Sequence, residues 1–280
     1  MIELNEWMRH RDRVLVMGIV NVTPDSFYDG YRFFRHKDAI EHGLRMVDEG
    51  ADIIDVGGES TRPGSQSISA EAEADRVIPV VKGIRKRSAV PISIDTTKAQ
   101  VAEEALDHGA GIINDISALR FDERMPSVAA RTDAFVILMH MQGDPATMQH
   151  RPSYADVLRE IHSFLSERVD AAIAAGIAED RIIVDPGIGF GKNLEHNLTI
   201  LRNLPQLTAL GRPLLVGLSR KSFLGAILDL PQEERIEGTI AANTVAILHG
   251  ASIIRVHDAK EGRRTADVAA RLRHHVIPNR

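Results

Sequence analysis

Short apolar runs rich in Val and Ile recur along the chain, separated by stretches whose apolar residues return every three or four positions. The runs Val14–Val20, Asp52–Val56, Ile92–Asp95, Ile112–Asp115, Phe135–His140, Ile182–Asp185, Leu214–Leu218 and Ile253–Val256 predict eight strands. They alternate little between apolar and polar residues, as expected of parallel strands buried on both faces. The segments between them predict helices. Leu158, Ile161, Leu165 and Val169 form one apolar face, with Gly176 as its C-terminal stop. Leu194, Leu198 and Leu201 form another. Thr97 and Gln100 read as a capping box for the helix that ends at Gly109, and Pro79 predicts a kink inside an otherwise helical stretch. Strand–helix alternation through all 280 residues, with no low-complexity linker, predicts one α/β domain over residues 1–280. Its fold class is a single (β/α)8 TIM barrel with the site at the C-terminal ends of the strands. The alternative is an open doubly wound sheet.

Composition narrows the chemistry. There is no cysteine, which excludes disulfides, thiolate metal sites and cysteine nucleophiles and suits a reducing cytoplasm. Net charge is −5 with no basic run, which argues against nucleic acid as a partner. The N-terminus lacks the basic start and apolar core of a signal peptide, and Val14–Val20 is too short to span a bilayer. A cytoplasmic location with no membrane partner is expected.

Polar residues collect where the strands end: Asn21; Asp55 and Glu59; Asp95; Asn114 and Asp115; His140; Asp185; Ser219, Arg220 and Lys221; Arg255, His257 and Asp258. In a barrel these ends form a ring around the mouth, where barrel enzymes keep their sites. Arg255 and His257 stand two apart, so they face the same way and suit a phosphate or pyrophosphate; a salt bridge to Asp258 is the plainer alternative. Lys221 and Ser222 open the following helix, whose N–H groups suit an anion. Asp95, Asn114 and Asp185 can read the donor and acceptor edge of a heterocycle, or can serve as helix caps and turns. The loops Asn21–Gly30 and Gly57–Gly64 carry Gly, Pro and hydroxyls, and read either as lids or as plain connections. Gly187-Ile188-Gly189-Phe190-Gly191-Lys192 resembles a phosphate loop. It lacks the first glycine at the required spacing and has Asn193 in place of Ser or Thr, so nucleoside-triphosphate binding is rejected. No His-Glu-x-x-His occurs, and a structural zinc site is not expected.

Taken together, these segments resemble the dihydropteroate synthase family. Asn21-Val22-Thr23-Pro24-Asp25-Ser26-Phe27 and Asp55-Val56-Gly57-Gly58-Glu59-Ser60-Thr61-Arg62-Pro63-Gly64 match its first two signatures. Asn114-Asp115-Ile116, Leu138–Gly143, Asp185–Lys192, Ser219–Ser222 and Arg255–Asp258 follow in family order. The family usually has a small residue where Tyr28 stands and often Gly at Tyr31. The resemblance implies condensation of a (dihydropterinyl)methyl diphosphate with 4-aminobenzoate, giving dihydropteroate and pyrophosphate. Asn21, Asp95, Lys221, Arg255 and His257 would carry the chemistry. Asp95, Asn114, Met139, Asp185, Phe190 and Lys221 would hold the pterin, and Asn21, Arg62, Arg255 and His257 the pyrophosphate. Phe27, Thr61, Arg62, Pro63 and Ser222 would shape the aminobenzoate pocket, with Asn21 also at a Mg2+ ion. Sulfonamides are the expected inhibitors and a homodimer the expected assembly. The alternatives are a pterin-binding domain of a corrinoid-dependent methyltransferase, a Schiff-base aldolase using Lys221, and an inactive pterin-binding paralogue.

Overall fold

The computed structural model describes residues 3–11, 13–23, 32–61 and 64–275. Its strands are β1 (Leu15–Asn21), β2 (Ile53–Gly57), β3 (Ile92–Asp95), β4 (Ile112–Asp115), β5 (Phe135–Met139), β6 (Ile182–Asp185), β7 (Leu215–Gly217) and β8 (Ile253–Val256). All are parallel, in the order β6-β5-β4-β3-β2-β1-β8-β7. A bridge between Val184 and Leu214 joins the two ends, with the Val184 N–H donating to Pro213 O at 3.0 Å. The eight expected strands and the barrel are thus present, and the open sheet is overturned by that closing bridge. Four strands end one residue from the expected place. β1 and β2 each run one residue further because Asn21 pairs with Gly57.

The helices are α1 (Leu4–His10), α2 (Arg32–Asp48), α3 (Ala70–Arg87), α4 (Ala99–Asp107), α5 (Met125–Thr132) and α6 (Val157–Ala174), then α7 (Leu194–Arg202), α8 (Leu204–Leu207), α9 (Ser222–Leu228), α10 (Ile236–Leu248) and α11 (Ala259–His275). Gly176 follows α6 at φ +95°, as the stop signal required. α3 continues through Pro79 as one helix. The capping box at Thr97 and Gln100 does not form: Lys98 is the N-cap of α4 and makes no side-chain cap. The Ala99 N–H donates instead to Asp122 Oδ2 at 2.9 Å, while the Lys98 ammonium is drawn to Glu59 and Glu73.

Strand side chains alternate between the barrel interior and the helical shell. The interior has two storeys. The lower is apolar, formed by Leu15, Met17, Ile53, Ile112, Phe135, Ile137, Ile183, Leu215 and Ile253. Trp7 of α1 packs into this cluster, its indole N–H donating to Arg13 O at 2.8 Å. Two residues further up the same strands the interior turns polar, at Asp55, Asn114, Asp185 and Arg255. On those four strands the period of two thus carries the chain from a packed floor to a polar layer.

Candidate active site

Arg255 is the hub of the polar storey. Its Nε donates to Asp55 Oδ2 and its Nη2 to Asp95 Oδ2, both at 2.6 Å. Asn114 Nδ2 donates to the same Asp55 oxygen at 3.1 Å. Asp55 is wholly buried. Burial pushes the Asp95 carboxyl up to about 7, against the pull of Arg255 and with repulsion from Asp55. Between about pH 4 and 7, then, the folded chain holds a proton on Asp95 that the unfolded chain has already lost. This group's contribution to stability falls as pH rises through that window. Urea midpoints of the parent and Asp95→Asn should converge or cross as pH rises from 4 to 7; parallel curves would contradict the assignment.

The loop after β6 supplies the next wall. The Gly187 N–H donates to Asp185 Oδ1 at 2.7 Å, and burial raises the Asp185 carboxyl against the pull of Lys221. Gly187 has φ +65°, and a Cβ there would lie 1.9 Å from His140 O. The glycines therefore let this loop lie against the end of β5. Lys192 is buried behind it, its Nζ 3.0 Å from His140 Nδ1 and donating to Phe190 O at 2.9 Å. Phe190 packs with Ile116, Met139, Met141 and Met148. Lys221 Nζ lies 4.8 Å from the Phe190 ring centroid and donates to Ile188 O. Burial brings this amine down to about 8, which Asp185 opposes and Arg255 assists.

Lys221 is held by its own neighbourhood. Arg220 takes φ +56°, and its guanidinium grips Asp258 through two contacts of 2.7 and 2.9 Å. Arg235 Nη1 donates to Arg220 O at 3.1 Å. Ser222 is exposed as the first residue of α9. His257 sits over the end of β8, its N–H donating to Ser219 Oγ and its Nδ1 3.0 Å from the same oxygen. On the far side of the mouth, Glu59, Thr61, Asp95, Thr96, Ile116 and Phe121 help line a cavity of about 310 Å³. A Cβ on Gly57 would stand 3.7 Å from Asp95 Oδ2 and 3.8 Å from Asn21 Oδ1, so the absent side chain leaves room beside two oxygens.

Residues 17–257 match the model of the pterin binding enzyme family. The dihydropteroate synthase of Synechocystis sp. is 49% identical over 261 residues, covering 93% of this chain and 90% of that protein. The chain belongs to the dihydropteroate synthase family. Solved members superpose closely. The Yersinia pestis synthase in a sulfonamide drug complex has a TM-score of 0.89 at 45% identity, over 94% of this chain and 96% of that one. The Xanthomonas albilineans synthase with 4-aminobenzoic acid has a TM-score of 0.87 at 44% identity, over 96% and 95%.

Within this synthase fold, Asp95, Asn114, Met139, Asp185, Phe190, Lys221 and Arg255 converge on one mouth, with Asn21, Thr61, Ser222 and His257 on its rim. Phe27, Arg62 and Pro63, like Tyr28 and Tyr31, lie outside the described residues. The expected ring of strand ends needs correction at three positions. Asp115 turns back to accept from the Ser117 and Leu119 N–H groups. His140 is buried against Phe164, edge to face at 4.9 Å, and against Lys192. Asp258 pairs with Arg220 rather than with Arg255 or His257. Asp115 and His140 each follow an inward residue, so the alternation of a strand sends them outward. Sequence reasoning also missed Glu73 and Lys98, which pair beside Glu59.

Proposed function

We propose that this chain condenses a dihydropterin-methyl diphosphate with 4-aminobenzoate to give dihydropteroate and diphosphate. The observation that carries this reading is one mouth in which an acceptor-rich set, Asp95, Asn114 and Asp185, faces a basic set, Arg255, His257 and Lys221. The first set, with Lys221, suits the polar edge of the pterin, and Met139 and Phe190 suit its ring faces. Asn21, Arg62, Arg255 and His257 suit the diphosphate. Phe27, Thr61, Arg62, Pro63 and Ser222 form the proposed aminobenzoate pocket, the place that sulfonamides would contest.

The reaction breaks the bond from the pterin methylene carbon to the diphosphate oxygen and forms one to the arylamine nitrogen. Arg255 and His257 stabilise the oxygen as negative charge builds on it. The positive charge left on carbon spreads into the pterin ring, where Asp95 and Asp185 are the nearby carboxyl groups. The amine of 4-aminobenzoate is neutral and attacks directly, losing its proton afterwards. Asn21 would hold magnesium, since that ion takes few protein oxygens and keeps its waters and substrate phosphates; an ion held there would supply positive charge beside the diphosphate.

Pyrophosphate release should require both substrates and a divalent metal, and full turnover in excess chelator would sink the metal role. Asp185→Asn keeps the shape but replaces an acceptor with a donor. It should weaken pterin binding by about 1–3 kcal/mol, roughly 5–150-fold, with the fold intact. Unchanged binding by calorimetry would make Asp185 merely structural.

The proposed assembly is a homodimer. Ile227 and Leu228 of α9, Ile240, Val245 and Leu248 of α10, and Val268 and Leu272 of α11 are exposed large apolar side chains on three successive helices, which suits an interface between copies. Val268→Glu with Leu272→Glu should halve the mass found by sedimentation; an unchanged mass would place the interface elsewhere.

A further inference from the structure

Asp55 is absent from the set of residues expected to touch either substrate, yet it lies at the centre of the polar storey. It is wholly buried on β2, between β1 and β3. A single oxygen, Oδ2, accepts from Arg255 Nε on β8 and from Asn114 Nδ2 on β4. Its other oxygen has no hydrogen-bond partner among the described residues.

A carboxyl oxygen that already accepts from a guanidinium N–H can take a further hydrogen bond only as an acceptor. Asn114 must therefore turn its NH2 toward Asp55, because the reversed amide would set oxygen against oxygen. That leaves the Asn114 carbonyl oxygen as the atom offered to a ligand, and a carbonyl reads a ring N–H. The guanidinium is constrained in the same way. Its Nε goes to Asp55 and its Nη2 to Asp95, which leaves Nη1 as the nitrogen that can serve an anion.

We propose that Asp55 is a positioning residue that sets, from one buried oxygen, the hydrogen-bonding face of the pterin-side Asn114 and the direction of the diphosphate-side Arg255. It touches neither substrate and acts through both arms. This rests on the roles given to Asn114 and Arg255 above.

Asp55→Asn tests it. The amide is isosteric but neutral, and it no longer dictates which end of Asn114 faces it. Calorimetry with 6-hydroxymethylpterin and, separately, with magnesium pyrophosphate should each show at least tenfold weaker binding than the parent. Turnover should fall while the KM for 4-aminobenzoate stays within twofold, because Thr61 and Ser222 do not contact Asp55. A general loss of structure would move all three. Binding of both probes within twofold of the parent overturns the proposal. Failure of the parent itself to bind either probe overturns the function reading instead.

If Asp55→Asn does not fold, the parent still decides. The Asn114 side-chain NH2 signal in a 15N spectrum should exchange slowly with solvent, with and without 6-hydroxymethylpterin. Fast exchange, or a change of partner when the pterin binds, overturns the proposal.

Discussion

Arg255→Met should lower stability by about 3–5 kcal/mol in urea titration and abolish turnover. One guanidinium bonds two carboxyl groups inside the barrel, Asp55 and Asp95, with contacts of 2.6 Å each. Removing it leaves buried acids without a counter-charge, and breaking a buried pair costs far more than the pair contributes net. Methionine fills similar volume, so the loss reports charge rather than a cavity. Adding Asp95→Asn to Arg255→Met should recover part of the stability and none of the activity, because the proposed diphosphate contact is still missing. A loss under about 1 kcal/mol, the level of an exposed ion pair, would mean that water already screens this cluster.

Gly187→Ala should be the most damaging change in the loop after β6. Two costs add. A left-handed backbone costs an L-residue roughly 1–2 kcal/mol, and Gly187 sits at φ +65°. The new methyl would also lie 1.9 Å from His140 O, where no side-chain rotation relieves it. Overpacking of that kind costs about 1–3 kcal/mol more. Two other glycines separate the costs. Gly211 has φ +70° with nothing within 4 Å of a Cβ, so alanine there meets only the backbone cost. Gly189 has φ +82° and its Cβ would meet Lys221 Cδ at 3.3 Å, a flexible neighbour. Urea midpoints should fall in the order Gly187→Ala, then Gly189→Ala, then Gly211→Ala. Equal losses at Gly187 and Gly211 would show that the loop moves freely away from β5. Because the Gly187 N–H also holds Asp185, pterin affinity should drop with stability at position 187 and stay unchanged at position 211.

The barrel was legible because its strands are nearly continuous apolar runs, and four of the eight were located to the residue. The site was legible where a side chain both lies near the end of a strand and faces inward, as at Asp95, Asn114, Asp185 and Arg255. It misled where only the first condition held: Asp115 and His140 end strands but belong to the outer shell. What stayed hidden depends on distance along the chain. Lys98 meets Glu59 and Glu73, which are 39 and 25 residues away, and Glu73 lies on a helix that reads as amphipathic. No local pattern separates a charged residue that faces water from one that turns inward to meet a partner brought there by the fold. Asp55 shows the intermediate case, since its position was evident while its two donors, 59 and 200 residues later, were not.

The closing bridge between Val184 and Leu214 gives this barrel a seam. Its other seven junctions are ladders of several paired residues, whereas β6 and β7 meet at one bridge. A cylinder laced so unevenly breathes first along its loosest edge. The two residues that flank this edge at the mouth are Asp185, at the top of β6, and Lys221, beyond β7. The Lys221 ammonium reaches over it to Ile188 O, on the β6 side. The lysine is thus a clasp across the seam as well as a group facing the mouth. A ligand gripped by both Asp185 and Lys221 would tighten the whole cylinder, so amide protons of β6 and β7 are where occupancy of the mouth is felt furthest down the barrel.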